Sequence, residues 1–269
     1  MMAGYRQFHG FSRAAFGKDI DLTSLLVYPQ LQELSEELGE LVEEGGIGML
    51  TGEKGIGKTT ALRHYLGGLR ENSCRIAYQG SSRHANAILE GLIESLGAEP
   101  ARMRATLLRQ LSRIVARSYY EERKKTLVVV DDAHLLEDNF LEDLRLLTNF
   151  EMDACDPMIL LLLGHPSLRL RLGRPVHLAL LDRIRMQYRL EGLSREETAQ
   201  YVDCHMKYAG GKGDVFSNDA RDAIYEHAQG IPRRINALAL ACLKKSASRK
   251  VRPIDGNFVS MVVSVLQKD

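Results

Sequence analysis

Five short stretches rich in aliphatic and β-branched residues punctuate the chain, at Ile47–Thr51, Arg75–Gln79, Thr126–Asp131, Met158–Gly164 and Met186–Leu190, with helix-like patterns between them. This alternation predicts a parallel sheet covered by helices on both faces. Thr126–Val130 and Met158–Leu163 are nearly continuous apolar runs, the pattern of central strands buried on both faces, and are expected to be neighbours. After Leu190 the strand pattern stops. Ser194 followed by Glu196 and Glu197 reads as a helix N-cap with acid in the first turn. Helices are predicted at about 194–209, 217–229, 232–248 and 255–267, with breaks at Ala209–Gly213 and at Gly230-Ile231-Pro232. The expected organisation is an N-terminal segment and first helix over 1–45 packed on the core, an α/β domain over 46–191, and a small all-helical domain over 192–269.

Composition narrows the class. At 45% hydrophobic, 26% charged and 6% aromatic residues, the 269-residue chain reads as globular rather than disordered or collagenous. Its longest strongly apolar run, Met158–Leu163, is far short of the roughly 20 residues that cross a bilayer. The N-terminus lacks the apolar stretch of a secretory signal, so no membrane partner and a cytoplasmic location are expected. Cys74, Cys155, Cys204 and Cys242 form no CxxC pair, which points away from a zinc site or a disulfide framework.

The net charge of +1 hides local asymmetry, with 3 basic and 8 acidic side chains in residues 1–50 against 10 and 6 in 71–125. Glu33, Glu36, Glu37, Glu40, Glu43 and Glu44 form one side of a helix whose other side carries Leu31, Leu34, Leu38, Leu41 and Val42, the pattern of a solvated face. Arg102, Arg109, Arg113 and Arg117 fall on one side of a predicted helix opposite Leu107, Leu111 and Ile114. This stripe is a solvated face or a DNA contact. Lys124, Lys125, the loop Ser81-Ser82-Arg83-His84, and Lys244, Lys245, Arg249, Lys250 and Arg252 are further candidates for DNA.

Chemistry enters with Gly52-Glu53-Lys54-Gly55-Ile56-Gly57-Lys58-Thr59, a match to G-x-x-x-x-G-K-[ST] between a strand and a helix predicted over Thr60–Leu69. Such a loop curls so that successive N–H groups point at phosphate oxygens, and the helix N-terminus adds positive potential. Gly52 to Thr60 are therefore the expected nucleotide-binding residues, with Lys58 bridging the β and γ phosphates of ATP and Thr59 offering its hydroxyl to Mg²⁺. Thr126–Val130 then leads into Asp131 and Asp132. Asp131 is assigned to Mg²⁺ with Thr59, and Asp132 to orienting or deprotonating the attacking water. The competing reading is that both acids merely cap a helix beginning near Leu135.

The combination GEKGIGKT, LVVVDDAH and a helical C-terminal region resembles the AAA+ branch of P-loop ATPases, and more narrowly the ExeA-like group and its transposon-encoded relatives of the TnsC and IstB types. The resemblance is also carried by Phe16-Gly17-Lys18-Asp19-Ile20, Leu144–Phe150, Leu163–Leu168, Asp182-Arg183-Ile184, Leu193–Tyr201 and Gly230–Asn236. It implies a five-stranded parallel P-loop sheet with a helical lid domain. It also implies that Arg183, with Arg185 as competitor, reaches the γ-phosphate of a neighbouring subunit, and that Arg233, with Arg234 as substitute, senses the same phosphate in cis. His165 falls where the group places a polar residue that reads the γ-phosphate, with Asn149 as competitor. The region Phe11 to Tyr28 would cover the adenine. Asp132 stands where most relatives carry Glu, so a slow ATPase is expected.

The function implied is an ATP-dependent regulator of transposition that oligomerises on double-stranded DNA as a ring or filament, recruits or activates a transposase, and disassembles on hydrolysis. The alternatives are an ExeA-type secretion ATPase, disfavoured because the chain stops at Asp269, and a non-hydrolysing ATP-gated scaffold.

Overall fold

A computed structural model describes residues 3–17, 20–21, 24–69, 74–80, 82, 84–150, 154–211 and 215–266. Lys18, Asp19, Ser81, Arg83 and Gly213, singled out above, lie outside them. The chain divides into two compact units, one formed chiefly by residues 30–190 and the other chiefly by 1–29 and 191–269.

The first unit is an α/β layer structure. Strands β1 (Gly46–Gly52), β2 (Cys74–Gln79), β3 (Lys125–Val130), β4 (Met158–Gly164) and β5 (Ile184–Leu190) form one sheet in the order β2-β3-β4-β1-β5, every pair parallel. The two apolar runs are indeed neighbours, with Val128 paired to Leu160. On one face Val128, Val130, Leu160 and Leu162 join a core with α4 (Ala85–Ser95), α5 (Arg104–Glu122) and α6 (Asp138–Leu147). Leu127, Val129, Ile159 and Leu161, also buried, point to the opposite face because side chains alternate along a strand.

That opposite face receives α2 (Pro29–Glu44), whose Leu31, Leu34, Leu38 and Leu41 are buried while its glutamates are exposed. Close approach there requires glycine at position 48: an added Cβ would stand 2.4 Å from Leu41 Cδ2 and 3.1 Å from Leu161 Cδ1. The loop after β1 leads into α3 (Lys58–Gly68), and β4 into the short helices α7 (Ser167–Leu172) and α8 (Leu178–Leu181). Arg102, expected on a helix with Arg109, Arg113 and Arg117, lies before the start of α5.

The second unit contains α9 (Arg195–Tyr208), α10 (Asn218–Ala228), α11 (Pro232–Arg249) and α12 (Gly256–Leu266) around a core that includes Val202, Phe216, Ile224, Leu243 and Val259. Ser194 caps α9 in a reciprocal box: its Oγ accepts the Glu197 N–H at 3.1 Å, and Glu197 Oε2 accepts the Ser194 N–H at 2.7 Å. The structure corrects the expectation that the whole of 1–45 packs on the α/β core. The stretch up to Pro29 belongs to the helical unit because α1 (Ala3–His9) has partners there: Tyr5 and His9 are buried, and His9 Nε2 lies 3.0 Å from Ser246 Oγ.

Two stability predictions follow from this packing. Gly48→Ala overpacks the α2 contact and should cost about 2 kcal/mol, read as a lower urea midpoint. His205, on α9, is 2% exposed, stacks on Phe16 at 4.9 Å, and has no hydrogen-bond partner for either ring nitrogen among the described residues. Burial pushes its pKa down from 6.5 to about 4. The unfolded chain therefore takes up this proton first, so the stability is complete above pH 6.5 and about 3 kcal/mol of it is lost as pH falls to 4. In His205→Leu, the difference between urea melts at pH 7.5 and pH 5 should shrink accordingly.

Candidate functional site

The C-terminal edges of β1, β3 and β4 meet at one place. Thr51 pairs with Gly164, so the loop that follows β1 and the tip of β4 stand at the same level, and Asp131 follows directly on β3. Thr59 Oγ1 donates to Asp131 Oδ2 at 2.8 Å, which joins the end of the phosphate-loop motif to the acid across the intervening β4. Asp131 Oδ2 also accepts the hydroxyl of Tyr78 at 3.0 Å, and Oδ1 accepts the Asp132 N–H at 2.8 Å. Burial, and next the negative field of Asp131, push the Tyr78 phenol up to about 12, so it stays a donor at any working pH.

Lys58 opens α3, and its Nζ donates to Gly52 O at 2.8 Å and Glu53 O at 3.3 Å. Gly57 has φ of +106° and open space where a side chain would stand, so the loop backbone can lie close to a ligand. Ile56 is buried, whereas Glu53, Lys54 and Thr60 are exposed. A hydroxyl beside a carboxylate is a hard-oxygen donor set that suits Mg²⁺, with water completing its shell. Loop, helix N-terminus, lysine and oxygen pair thus fit a magnesium-bound triphosphate, which the residues from Gly52 to Thr60 and Asp131 would hold.

Asp132 adopts a left-handed backbone, with φ of +53° and ψ of 34°, and makes no cap hydrogen bond to the short 3-10 turn Ala133–Leu135 that follows. For Asp132 the capping alternative therefore lacks the bond it requires. His165, the residue after β4, places Nε2 3.2 Å from Glu53 Oε2 of the phosphate loop, and its Nδ1 accepts the Ser167 N–H at 3.3 Å. Asn149 is a correction: it is exposed beyond the end of α6 and before β4, at the far edge of the sheet. Its neighbour Phe150 bridges to Cys155 just before β4, and the seven residues of β4, about 20 Å, separate that level from the phosphate loop, so Asn149 is out of its reach.

Arg183 also stands at that far edge, immediately before β5, whose Ile184 pairs with Ile47 at the start of β1. Arg185 is tied into its own chain by Asp156 Oδ2 at 3.1 Å and Gly45 O at 3.1 Å. Arg233 and Arg234 are exposed in the first turn of α11, in the helical unit.

Tyr78 and His134 were not assigned roles from sequence. Tyr78 sat inside a segment legible only as a strand, and His134 was visible only as the last letter of LVVVDDAH. The His134 ring lies 5.9 Å from that of His165, and its Nδ1 accepts the His165 N–H at 3.3 Å. Burial first of all lowers its pKa below the usual histidine value.

Strand order, phosphate loop and acid pair together give the α/β fold of an AAA-type P-loop nucleotide-binding domain. Residues 42–172 match the AAA domain family. The chain is 32% identical over 246 residues to general secretion pathway protein A of Aeromonas hydrophila, a match that takes in 87% of this chain and 43% of that protein. It therefore spans less than half the length of this curated relative. Among solved structures, Cdc6p from Pyrobaculum aerophilum superposes with a TM-score of 0.66 at 22% identity, covering 87% of this chain and 64% of that one. The Aeropyrum pernix ORC1 protein, solved in complex with DNA, superposes with a TM-score of 0.69 at 16% identity, over 94% of this chain and 69% of that one. At these identities the two structures testify to the fold. No helix among the described residues is long and apolar enough to cross a membrane.

Lys58→Ala should weaken Mg-ATP binding at least about tenfold by removing a charge-assisted contact to phosphate. Asp131→Asn should raise the magnesium concentration needed for the same affinity; calorimetry at stepped magnesium reads both.

Proposed function

We propose that the chain is a cytoplasmic ATP-driven assembly factor for transposition. Copies associate on double-stranded DNA in the ATP state and recruit or activate a transposase, and hydrolysis to ADP and phosphate releases the assembly. The observation that carries the association of copies in this reading is the position of Arg183. It stands at the start of β5, whereas the chain's own phosphate loop begins after Gly52, which pairs with Leu190 at the other end of that strand. About 20 Å separates the two levels, more than one side chain spans. This separation supports the reading in which a second copy offers Arg183 to the triphosphate and completes the site.

The chemistry is transfer of the γ-phosphoryl group to water. Asp132 takes the proton of the attacking water while the bond from the γ-phosphorus to the bridging oxygen breaks and ADP departs. Lys58 meets the charge on the β and γ oxygens, and the partner copy's arginine can meet two oxygens at once. His165 faces the γ-phosphate from the tip of β4, and Arg233 is the candidate sensor on the helical unit. Magnesium, when bound, neutralises phosphate charge. The carboxylate of Asp132 stands on a stem one methylene shorter than that of Glu, which supports slow turnover.

DNA as partner is supported by exposed Arg109, Arg113 and Arg117 along α5, and by Lys244, Arg249, Lys250 and Arg252, exposed on the helical unit. Arg117 is engaged with Glu121 at 2.8 Å on the same helix, so its share is the smallest. Few such contacts per copy suffice when they add along an oligomer. The fold likeness to a protein solved in complex with DNA points the same way. A second reading, an ATPase of a secretion pathway, is favoured by the 32% identity to general secretion pathway protein A.

Electron microscopy with duplex DNA and a non-hydrolysable ATP analogue should show rings or filaments; absence of DNA binding at low salt in every nucleotide state removes the DNA reading and leaves the secretion one. Arg183→Ala should retain ATP binding while hydrolysis falls about a thousandfold. Mixing it with Lys58→Ala copies should restore turnover, because one variant then supplies the loop and the other the arginine.

A further inference from the structure

We propose that His134 is a positioning residue for hydrolysis: pinned on two sides, it fixes where Asp132 stands relative to His165 at the tip of β4. The inference rests on the reading of Asp132 as the base.

His134 lies in the short turn that follows Asp132, and both of its anchors are specific. Its ring Nδ1 accepts the backbone N–H of His165 at 3.3 Å, so in the neutral ring the proton sits on Nε2 and the single lone pair of Nδ1 is committed to β4. Its carbonyl oxygen accepts Nη1 of Arg171 at 3.3 Å. Arg171 is itself held by Asp138, whose Oδ1 accepts the arginine Nε at 2.9 Å and lies 2.9 Å from Nε2 of buried His177. These partners hold the Asp138 carboxyl below its ordinary range, the Arg171 hydrogen bond contributing most, so the clamp is charged at neutral pH.

The consequence falls on Asp132. Its left-handed backbone is uncommon outside glycine, although aspartate tolerates it better than most residues, and the doubly anchored residue two positions on helps to hold it there. Asp132 Oδ1 lies 4.0 Å from the same Nδ1. Protonation of Nδ1 would therefore end the bond to the His165 amide and draw the carboxylate toward the ring. The groups whose fields bear on this ring are Asp132 and Asp131, which favour its proton, and His165 and Lys58, which oppose it, while burial, the largest influence, lowers its pKa. Base and phosphate-facing histidine thus keep one spacing for as long as His134 stays neutral and anchored.

The test compares His134→Ala, His134→Gln, Asp138→Asn and Asp132→Asn, with duplex DNA present. His134→Ala should lower kcat about tenfold while ATP affinity and KM stay within about twofold. His134→Gln, whose side-chain oxygen can accept the same N–H, should recover most of the rate. Asp138→Asn, which weakens the second anchor without touching the ring, should lower kcat in the same sense. Histidine side-chain ¹⁵N shifts at pH 7.5 should show His134 protonated at Nε2. A wild-type kcat in His134→Ala, no recovery with Gln, parallel loss of affinity and rate, or an Nδ1-protonated ring overturns the inference. A wild-type rate in Asp132→Asn instead overturns the assignment of the base, so the two failures are distinct. Should His134→Ala not fold, the Gln and Asp138→Asn rates still decide.

Discussion

The hydrogen bond from Thr59 to Asp131 is short, and it joins groups 72 residues apart in sequence. It exists because β4 separates β1 from β3 in a sheet whose strands all run one way. Parallel strands deliver every following loop to the same edge, and the gap between loops that leave non-adjacent strands is where α/β sheets bind ligands. Here the gap lies between the phosphate loop after β1 and the acids after β3, with the tip of β4 and His165 at its floor. The buried strands, Gly48 under Leu41 and the helices on both faces serve to keep that edge rigid.

The same parallel arrangement separates as well as gathers. Residues that precede strands go to the opposite edge, and Arg183 and Asn149 both went there. For Asn149 this ends any part in the site of its own chain. For Arg183 the same separation is what a group acting on a second copy requires. One geometric rule thus gives two residues of similar promise opposite standing.

Charge around the site is arranged in layers. Lys58 is the cation placed directly on the phosphate loop, Asp131 and Asp132 are the acids that follow β3, and Tyr78, whose phenol pKa is raised, and His134, whose ring pKa is lowered, are the polar groups beside them. Neutral donors and acceptors can orient a carboxylate without cancelling its charge. Farther out, the Asp138, Arg171 and His177 cluster braces the segment that runs on toward Arg183, so the acid turn and that arginine rest on adjoining supports.

Sequence alone determined the strands, the helices after Leu190, the neighbouring of the two apolar runs, and the phosphate loop with its acids, because each is written in local period or in a motif whose spacing is fixed by backbone geometry. Tertiary structure decided the rest. It assigned the stretch before Pro29 to the helical unit, removed Asn149, and showed that Tyr78 and His134 stand at the acids. Those facts depend on which loops reach the same edge of the sheet and on contacts between residues far apart in the chain, and neither carries a periodic signal. A histidine two positions beyond an acid looks the same in sequence whether it faces solvent or accepts the amide of another strand; only the crossing of the chain at β4 distinguishes them.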